Sequence, residues 1–128
     1  MRLLITRPRA QADALVAELR AGGVDAAALP LIDIAPAADA SAVRRAWELL
    51  PGCALAMFVS ANAVWHFMQA RPAPAAWPAG VLAGATGPGT AAALRAAGVP
   101  PARLVEPAGD VFDSEALWQR LRERDWQG

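Results

Sequence analysis

The sequence predicts an α/β fold that is flavodoxin-like and doubly wound, with a parallel sheet and helices on both faces. Short apolar runs alternate with Ala-rich stretches in which apolar residues recur at helical spacing. Three of the apolar runs are followed directly by a turn of small residues and then by a predicted helix, at residues 3–8, 57–63 and 83–91. Alternating elements of this length imply parallel pairing through right-handed crossovers.

The first 36 residues predict a strand, a helix and a second strand. Residues 3–6 predict the first strand, and Pro8 suits the first turn of the helix that follows. Gly22-Gly23 supplies the stop of that helix. A second extended run is expected over residues 25–34, where Pro30 indicates a sheet edge or a bend.

The rest of the chain continues as helix and strand in alternation. The run at 54–59 is the strongest strand, because it is apolar throughout, as in a parallel sheet covered on both faces. The Pro-rich segment 71–80 predicts a loop. The last helix is expected to be capped by Asp113 or Ser114. The predicted elements, in order, are residues 43–50, 54–59, 64–68, 81–85, 90–97, 104–105 and 114–124.

Composition excludes several classes of function. The 128 residues fit one ordinary domain, and 12 basic against 12 acidic side chains leave no basic surface for nucleic acid. Lys is absent, which excludes a P-loop lysine and a Schiff-base lysine. The single cysteine, Cys53, cannot form an internal disulfide, which fits a reducing compartment. We expect its small side chain to be buried. With no secretion signal and no membrane-length apolar run, we expect a soluble, cytoplasmic protein without a membrane partner.

The three strand-to-helix turns predict a site for an anionic ligand. In a parallel sheet such turns share the carboxyl edge, where helix N-termini offer unpaired N–H groups and positive dipole ends. Arg7 and Arg9 flank Pro8 in the first turn, so they could bind carboxylates or phosphates, or simply be solvated.

Other chemistries fit parts of the sequence. Ser60 could be a nucleophile paired with His66, although a helix cap is the simpler interpretation, and His66 is expected to be a partly exposed helix residue. The pattern Gly87-x-Gly89-x-x-Ala is followed about 20 residues later by Glu106, where a ribose-binding acid would lie. It fits a loose dinucleotide-binding motif as well as a simple turn.

A metal site is also conceivable where three acidic residues cluster near the last helix. Helix capping accounts for two of them at lower cost, and the single histidine and single cysteine cannot build a typical zinc site. The three acidic residues are Asp110, Asp113 and Glu115.

Four segments in series resemble the uroporphyrinogen-III synthase family. Residues 5–8 (Ile-Thr-Arg-Pro), then Gly23 and residues 30–34, are similar to the family's opening. Residues 58–64 resemble its F-T/V-S-x-N-A-V segment and residues 87–94 its G-x-x-T-A-x-x-L segment. The order and spacing agree over almost the whole chain, ending with residues 113–117, which resemble D-S-E-x-L.

The resemblance implies a hydro-lyase of haem biosynthesis. Members close the linear tetrapyrrole hydroxymethylbilane into uroporphyrinogen III and invert ring D, through an azafulvene and a spiro intermediate. They use no metal and no organic cofactor. The substrate carries eight carboxylates, which suits a rim of helix N-termini and arginines. The implied substrate-binding residues are Thr6, Arg7, Ser60, Ala61, Asn62, Thr86, Gly87 and Thr90.

The resemblance also implies an incomplete chain. Family members are about twice as long, with two α/β lobes joined by a hinge, and the second half carries a tyrosine suspected of assisting hydroxyl departure, whereas this sequence has no Tyr. By this layout, residues 1–36 belong to the first lobe, 37–40 to the hinge and 41–128 to most of the second lobe. Weak or absent turnover is therefore expected.

Such a chain could fold as a monomer or associate with a second copy. The strands could form one compact five-stranded sheet, which we favour, or two copies could associate through their incomplete lobes. As an alternative function, the chain could be a dinucleotide- or anion-binding module of Rossmann type without catalysis.

Overall fold

The computed structural model describes residues 1–126. Over these residues the chain is α/β with parallel strands and five α-helices, which confirms the predicted fold class. It divides into two compact units, Met1–Pro36 and Ala37–Gly128. The assignment of these segments to lobes of a larger family fold remains a prediction.

The first unit is a βαβ segment, as predicted. Strand β1 (Leu3–Ile5) pairs in parallel with β2 (Ala26–Ala28), and helix α1 (Arg9–Ala21) connects them. Ala12 and Val16 are the buried residues of α1. The helix ends beside Gly23, whose φ of 81° lies in the left-handed region that glycine adopts without strain.

The extended run predicted over residues 25–34 is wrong in length, because only three residues of it form a strand. The Leu29 N–H still donates to the Ile5 carbonyl of β1 at 2.9 Å, but Pro30 has no N–H to donate to a ladder. Further on, the Ile34 N–H donates to Asp33 Oδ1 at 3.0 Å instead of to a strand.

Over residues 37–126 the second unit continues the alternation with four α-helices and three strands. Its elements are α2 (Ala40–Leu49), β3 (Leu55–Phe58), α3 (Ala61–Gln69), β4 (Leu82–Ala85), α4 (Pro88–Ala96), β5 (Leu104–Val105) and α5 (Ser114–Leu121). Asp39 caps α2 by accepting from the Ser41 N–H and hydroxyl. Those hydrogen bonds, the one from the hydroxyl first, lower the pKa of the Asp39 carboxyl.

The three strands form a parallel sheet in the order β3-β4-β5. The β3–β4 register runs from Leu55 opposite Leu82 to Phe58 opposite Ala85. Side chains alternate across this sheet, so the two faces carry different cores. On one face, alanines of β4 pack with α3 and α4 around Leu94, which is fully buried.

An aromatic cluster closes that core. Trp47 of α2 stacks on Phe67 with ring centroids 4.7 Å apart and meets Trp77 edge-on at 6.2 Å. Both indole N–H groups are satisfied: Trp47 donates to the Phe67 carbonyl at 2.8 Å and Trp77 to the Val81 carbonyl at 2.9 Å. These buried rings therefore carry no unmet polar group.

Helix α5 packs on the opposite face of the sheet. Leu117 and Leu121 form a second buried cluster with Val105. Leu117 lies directly over Gly84, because a Cβ built on that glycine would be 3.4 Å from Leu117 Cδ2. The sheet of this unit thus has helices on both faces, as predicted.

Two expectations are wrong. The described strands form a two-stranded and a three-stranded sheet rather than one five-stranded sheet. Each sheet is paired within its own unit, and Pro30 and Pro36 fall in the segment between them, which carries no strand. Cys53 is exposed rather than buried. It follows a 3₁₀ turn at the surface, where its thiol donates to the Leu49 carbonyl at 3.5 Å.

Candidate functional site

Two neighbouring strands of the second unit, β3 and β4, end side by side, and each is followed directly by a helix. The last paired residues of β3 and β4 are Phe58 and Ala85. The helix N-caps, Ser60 and Gly87, each lie two residues beyond that pair. Because adjacent strands are about 4.8 Å apart, both helix N-termini lie at one stretch of the carboxyl edge. We call these two junctions, residues 59–62 and 86–90, the rim.

Ser60 begins α3 as the sequence predicts. Its backbone is extended, and its hydroxyl oxygen accepts from the Ala63 N–H at 3.1 Å. Its carbonyl accepts from the Val64 N–H at 3.2 Å. The geometry of a helix start leaves the Ala61 N–H without an intrahelical acceptor, at the positive end of the α3 dipole. Asn62, in the same first turn, is half-buried.

The start of α4 differs because Pro88 occupies its first position. Proline has no N–H, so the first-turn donors are those of Gly89 and Thr90, while the Ala91 N–H already donates to the Gly87 carbonyl at 3.0 Å. The Thr90 residue is only 6% exposed, so it can offer a ligand its main-chain N–H more readily than its hydroxyl. Thr86, before the cap, is half-buried.

The loop before α5 adds an aromatic side chain to the rim. A Cβ built on Gly87 would lie 3.7 Å from the Cβ of Phe112, and Phe112 is 51% exposed. None of the sequence motifs described above includes this residue. Its signal was present: Val111 and Phe112 are two large apolar residues between Asp110 and the Asp113 cap.

The first unit carries its own strand-to-helix junction. Thr6 and Arg7 follow β1 and are exposed, and Pro8 is the N-cap of α1 without a side-chain cap. The Gln11 and Ala12 N–H groups both donate to the Pro8 carbonyl. Arg9, the first residue of the helix, is also exposed. These two guanidinium groups thus lie at a helix N-terminus of the first unit.

The predicted site residues therefore fall into two sets. The rim of the second unit brings six of them together, namely Ser60, Ala61, Asn62, Thr86, Gly87 and Thr90. Thr6 and Arg7 lie at the junction of the first unit. The rim carries no charged side chain, so its attraction for an anion comes from N–H donors and helix dipoles.

The geometry gives the dinucleotide motif no special support. Gly87 is extended, with φ of −162°, a conformation open to any residue, and a side chain on Gly89 would meet nothing within 4 Å. Glu106, the candidate for a ribose contact, is paired with Arg95 of α4. The glycines therefore fit a plain strand-to-helix turn.

The remaining candidates take structural places. Asp113 caps α5 by accepting from the Ala116 N–H at 2.7 Å, as predicted. His66 lies within α3, half-buried, with its ring edge-on to Trp65. Among residues 1–126, no three His, Cys, Asp or Glu side chains come together as a metal site would need. No helix in the same range is long and apolar enough to cross a membrane.

The fold and these junctions define a doubly wound α/β protein of the kind that binds ligands outside the carboxyl ends of its strands. Comparison with known families gives the particular assignment. Residues 13–128 match the model of the family described as uroporphyrinogen-III synthase HemD, and the chain belongs to that family. No curated protein matches the chain. The match confirms the resemblance on which the tetrapyrrole expectation was based.

Proposed function

We propose that this chain takes part in the uroporphyrinogen-III synthase reaction by holding the carboxylates of hydroxymethylbilane while the macrocycle closes with ring D inverted. One observation carries the proposal: within the family match, the α3 and α4 N-termini lie side by side at the carboxyl edge of one sheet. The reaction is that of a hydro-lyase, because the substrate's hydroxyl leaves as water before the ring closes.

A polycarboxylate suits this rim for energetic reasons. One anion at a helix N-terminus gains only about 0.3–1 kcal/mol when exposed. Several carboxylates on one molecule add such small terms without a second loss of translational freedom. Ser60, Ala61 and Gly87 bring donors to neighbouring carboxylates in this scheme, and Thr86 and Asn62 flank them. Thr90 contributes through its main chain.

The first unit has carboxylate-binding candidates of its own. Arg7 is exposed and follows a strand, so its guanidinium can bind a carboxylate through two parallel hydrogen bonds. Thr6 beside it supplies a hydroxyl. In this proposal they form a carboxylate-binding junction within the first unit.

Positioning is the main requirement of this chemistry. Uncatalysed closure gives the isomer without inversion, so a protein that holds the chain ends in the geometry for spiro closure changes the product. The residues assigned above hold carboxylates but bring no acidic side chain to the departing hydroxyl. We therefore expect slow turnover with a changed isomer ratio.

The test is an isomer assay in which hydroxymethylbilane is generated in the cuvette. Products are oxidised to porphyrins, and isomers I and III are separated by chromatography. The proposal predicts more isomer III than in the protein-free control. Turnover at the rate of an efficient enzyme would contradict the positioning role, and an unchanged isomer ratio would contradict any part in the reaction.

A binding titration tests the carboxylate contacts separately. Uroporphyrin III, with eight carboxylates, is expected to bind more tightly than coproporphyrin III, with four. NAD serves as the control for the dinucleotide alternative. Tight NAD binding that Gly87→Val abolishes would favour that alternative over the tetrapyrrole.

A further inference from the structure

A groove separates the outer sides of α3 and α4 in the second unit. Its volume is about 400 Å³, within the range of about 300–1,000 Å³ typical of small-molecule sites. Trp65, Met68 and Gln69 line it from α3, and Arg71 follows that helix. The facing wall, from α4, consists of alanines that include Ala97 at the helix end. We call this the α3–α4 groove.

The groove is distinct from the rim. Ser60 and Gly87 lie at the starts of the two helices, whereas most of the groove residues belong to their second halves and ends. A helix of nine residues is about 13 Å long. The residues at the two ends of α3 therefore serve different places on the surface, and no residue is shared between the two sites.

The groove offers a platform for an aromatic ring. Trp65 is 56% exposed, which leaves a large apolar area in contact with water. The ring of His66 meets it edge-on at a centroid distance of 4.6 Å, which limits its motion. Met68, half-buried beside it, is a flexible side chain that adapts to flat ligands.

Arg71 is the charged side chain among the described residues that line the groove. Its Nη1 donates to the Ala97 carbonyl at 3.3 Å, which ties the side chain across to the end of α4. A guanidinium has about five N–H donors, so this bond leaves most of its capacity for a ligand. A planar carboxylate is the partner that matches its forked geometry.

The negative ends of the two helix dipoles do not cancel this preference. A hydrogen bond between a guanidinium and a carboxylate is stronger than the interaction of an anion with an exposed helix end. Several of the last carbonyls are already occupied: Phe67 accepts from the Ala70 N–H and Met68 from the Arg71 N–H. At the end of α4, Leu94 accepts from the Val99 N–H.

We propose that the α3–α4 groove binds a small planar aromatic carboxylate, with its ring on Trp65 and its carboxylate on the Arg71 guanidinium. The volume suits a ligand of one or two fused rings. This site is independent of the proposed tetrapyrrole function, since none of its residues belongs to the rim.

The experiment compares two probes of the same shape on the unmodified chain. 2-Naphthoate carries the carboxylate, and 2-naphthamide is its neutral counterpart. Calorimetry is expected to give at least about tenfold tighter binding for the naphthoate, because one charge-assisted pair is worth at least about 1.4 kcal/mol. Amide chemical shifts should change at residues 64–71 and 93–97 but not at the rim.

Variants assign the contacts. Arg71→Gln should remove the preference for naphthoate, while Trp65→Ala should weaken both probes. Arg120→Gln, which removes an exposed arginine from α5, is the matched control and should leave both affinities unchanged. Equal binding of the two probes, equal effects of Arg71→Gln and Arg120→Gln, or shifts confined to the rim would each overturn the proposal.

Discussion

Ser60 fixes the start of α3 with one side-chain oxygen, and the cost of losing it can be predicted. Replacing a serine N-cap by alanine costs about 1 kcal/mol, because the N–H it bonded loses its acceptor. Ser60→Ala should therefore lower the free energy of unfolding by about 1 kcal/mol in urea titrations. Ser60→Thr keeps a hydroxyl and should retain most of the stability. Equal losses in the two variants would show that the hydroxyl is not a cap.

Phe112 lies against Gly87 at the rim, so its ring is available to the pyrrole rings of a bound tetrapyrrole. An aromatic contact of this kind is worth about 1 kcal/mol. Phe112→Ala should weaken uroporphyrin III binding roughly fivefold. Trp118→Ala, at an α5 residue that is 50% exposed, is the control and should leave binding unchanged. Equal weakening by both variants would contradict a role for Phe112.

Single residues were predictable where their roles are local. The caps at Ser60 and Asp113 depend on an N–H three residues away, so the sequence alone indicates them. The exposure of Cys53 and the contact of Phe112 with Gly87 depend on segments distant in the chain, which a local pattern does not encode. The burial of Thr90 has the same origin, because α4 packs its buried side against the sheet.

At the scale of elements, β4 shows why a central strand contains a glycine. Gly84 pairs with Met57 on one side and Val105 on the other, and α5 crosses directly above it. A Cβ there would be 3.4 Å from both Leu117 and Leu55. The absence of a side chain thus lets α5 approach the sheet closely.

Enlarging that residue should displace α5. Gly84→Ala adds one methyl at the limit of ordinary contact and is expected to change stability little. Gly84→Val adds branches that must push Leu117 or Leu55 aside, at a cost of about 1–3 kcal/mol. Urea unfolding measures both variants, and Gly80→Val, at an open position, is the control. Destabilisation by Gly84→Val no greater than in this control would contradict close packing of α5.

Strand β2 was harder to predict than the helices, for a physical reason. Helical periodicity and caps are written into consecutive residues, so α1 and α5 begin within a few residues of their expected positions. Strand β2 exists only where β1 pairs with it, at Ala26–Ala28, and that pairing is not visible in an apolar run. The predicted strand over 25–34 was therefore too long.

On the scale of the whole molecule, the family was easier to recognise than the arrangement of its sheets. The segments that resemble the family lie mainly at strand-to-helix turns, where a few residue types are required, and the family model matches residues 13–128. Sheet order depends on which strands meet, and one five-stranded sheet and two smaller sheets use the same turns. The turns therefore indicated the site better than they indicated the number of sheets.

We propose that the chain self-associates through the first unit. This unit has a two-stranded sheet and one helix. A sheet of two strands is only marginally stable in water unless other elements pack against it. Leu4 in β1 is 58% exposed, and Leu31 and Ile32 beyond β2 are also exposed. Exposed apolar side chains on so small a unit favour association with another copy. Light scattering should therefore give a mass that rises above that of one chain as protein concentration increases.

Charge placed on this surface should oppose association. Leu4→Lys is expected to keep the mass at that of one chain over the same concentrations, because burying an unpaired ammonium is unfavourable. Leu49→Lys is the matched control, since Leu49 is 65% exposed on α2 and belongs to the second unit. A constant one-chain mass for the wild type would contradict self-association, and equal effects of the two variants would contradict the assignment to the first unit. Circular dichroism of both variants separates a loss of association from a loss of folding.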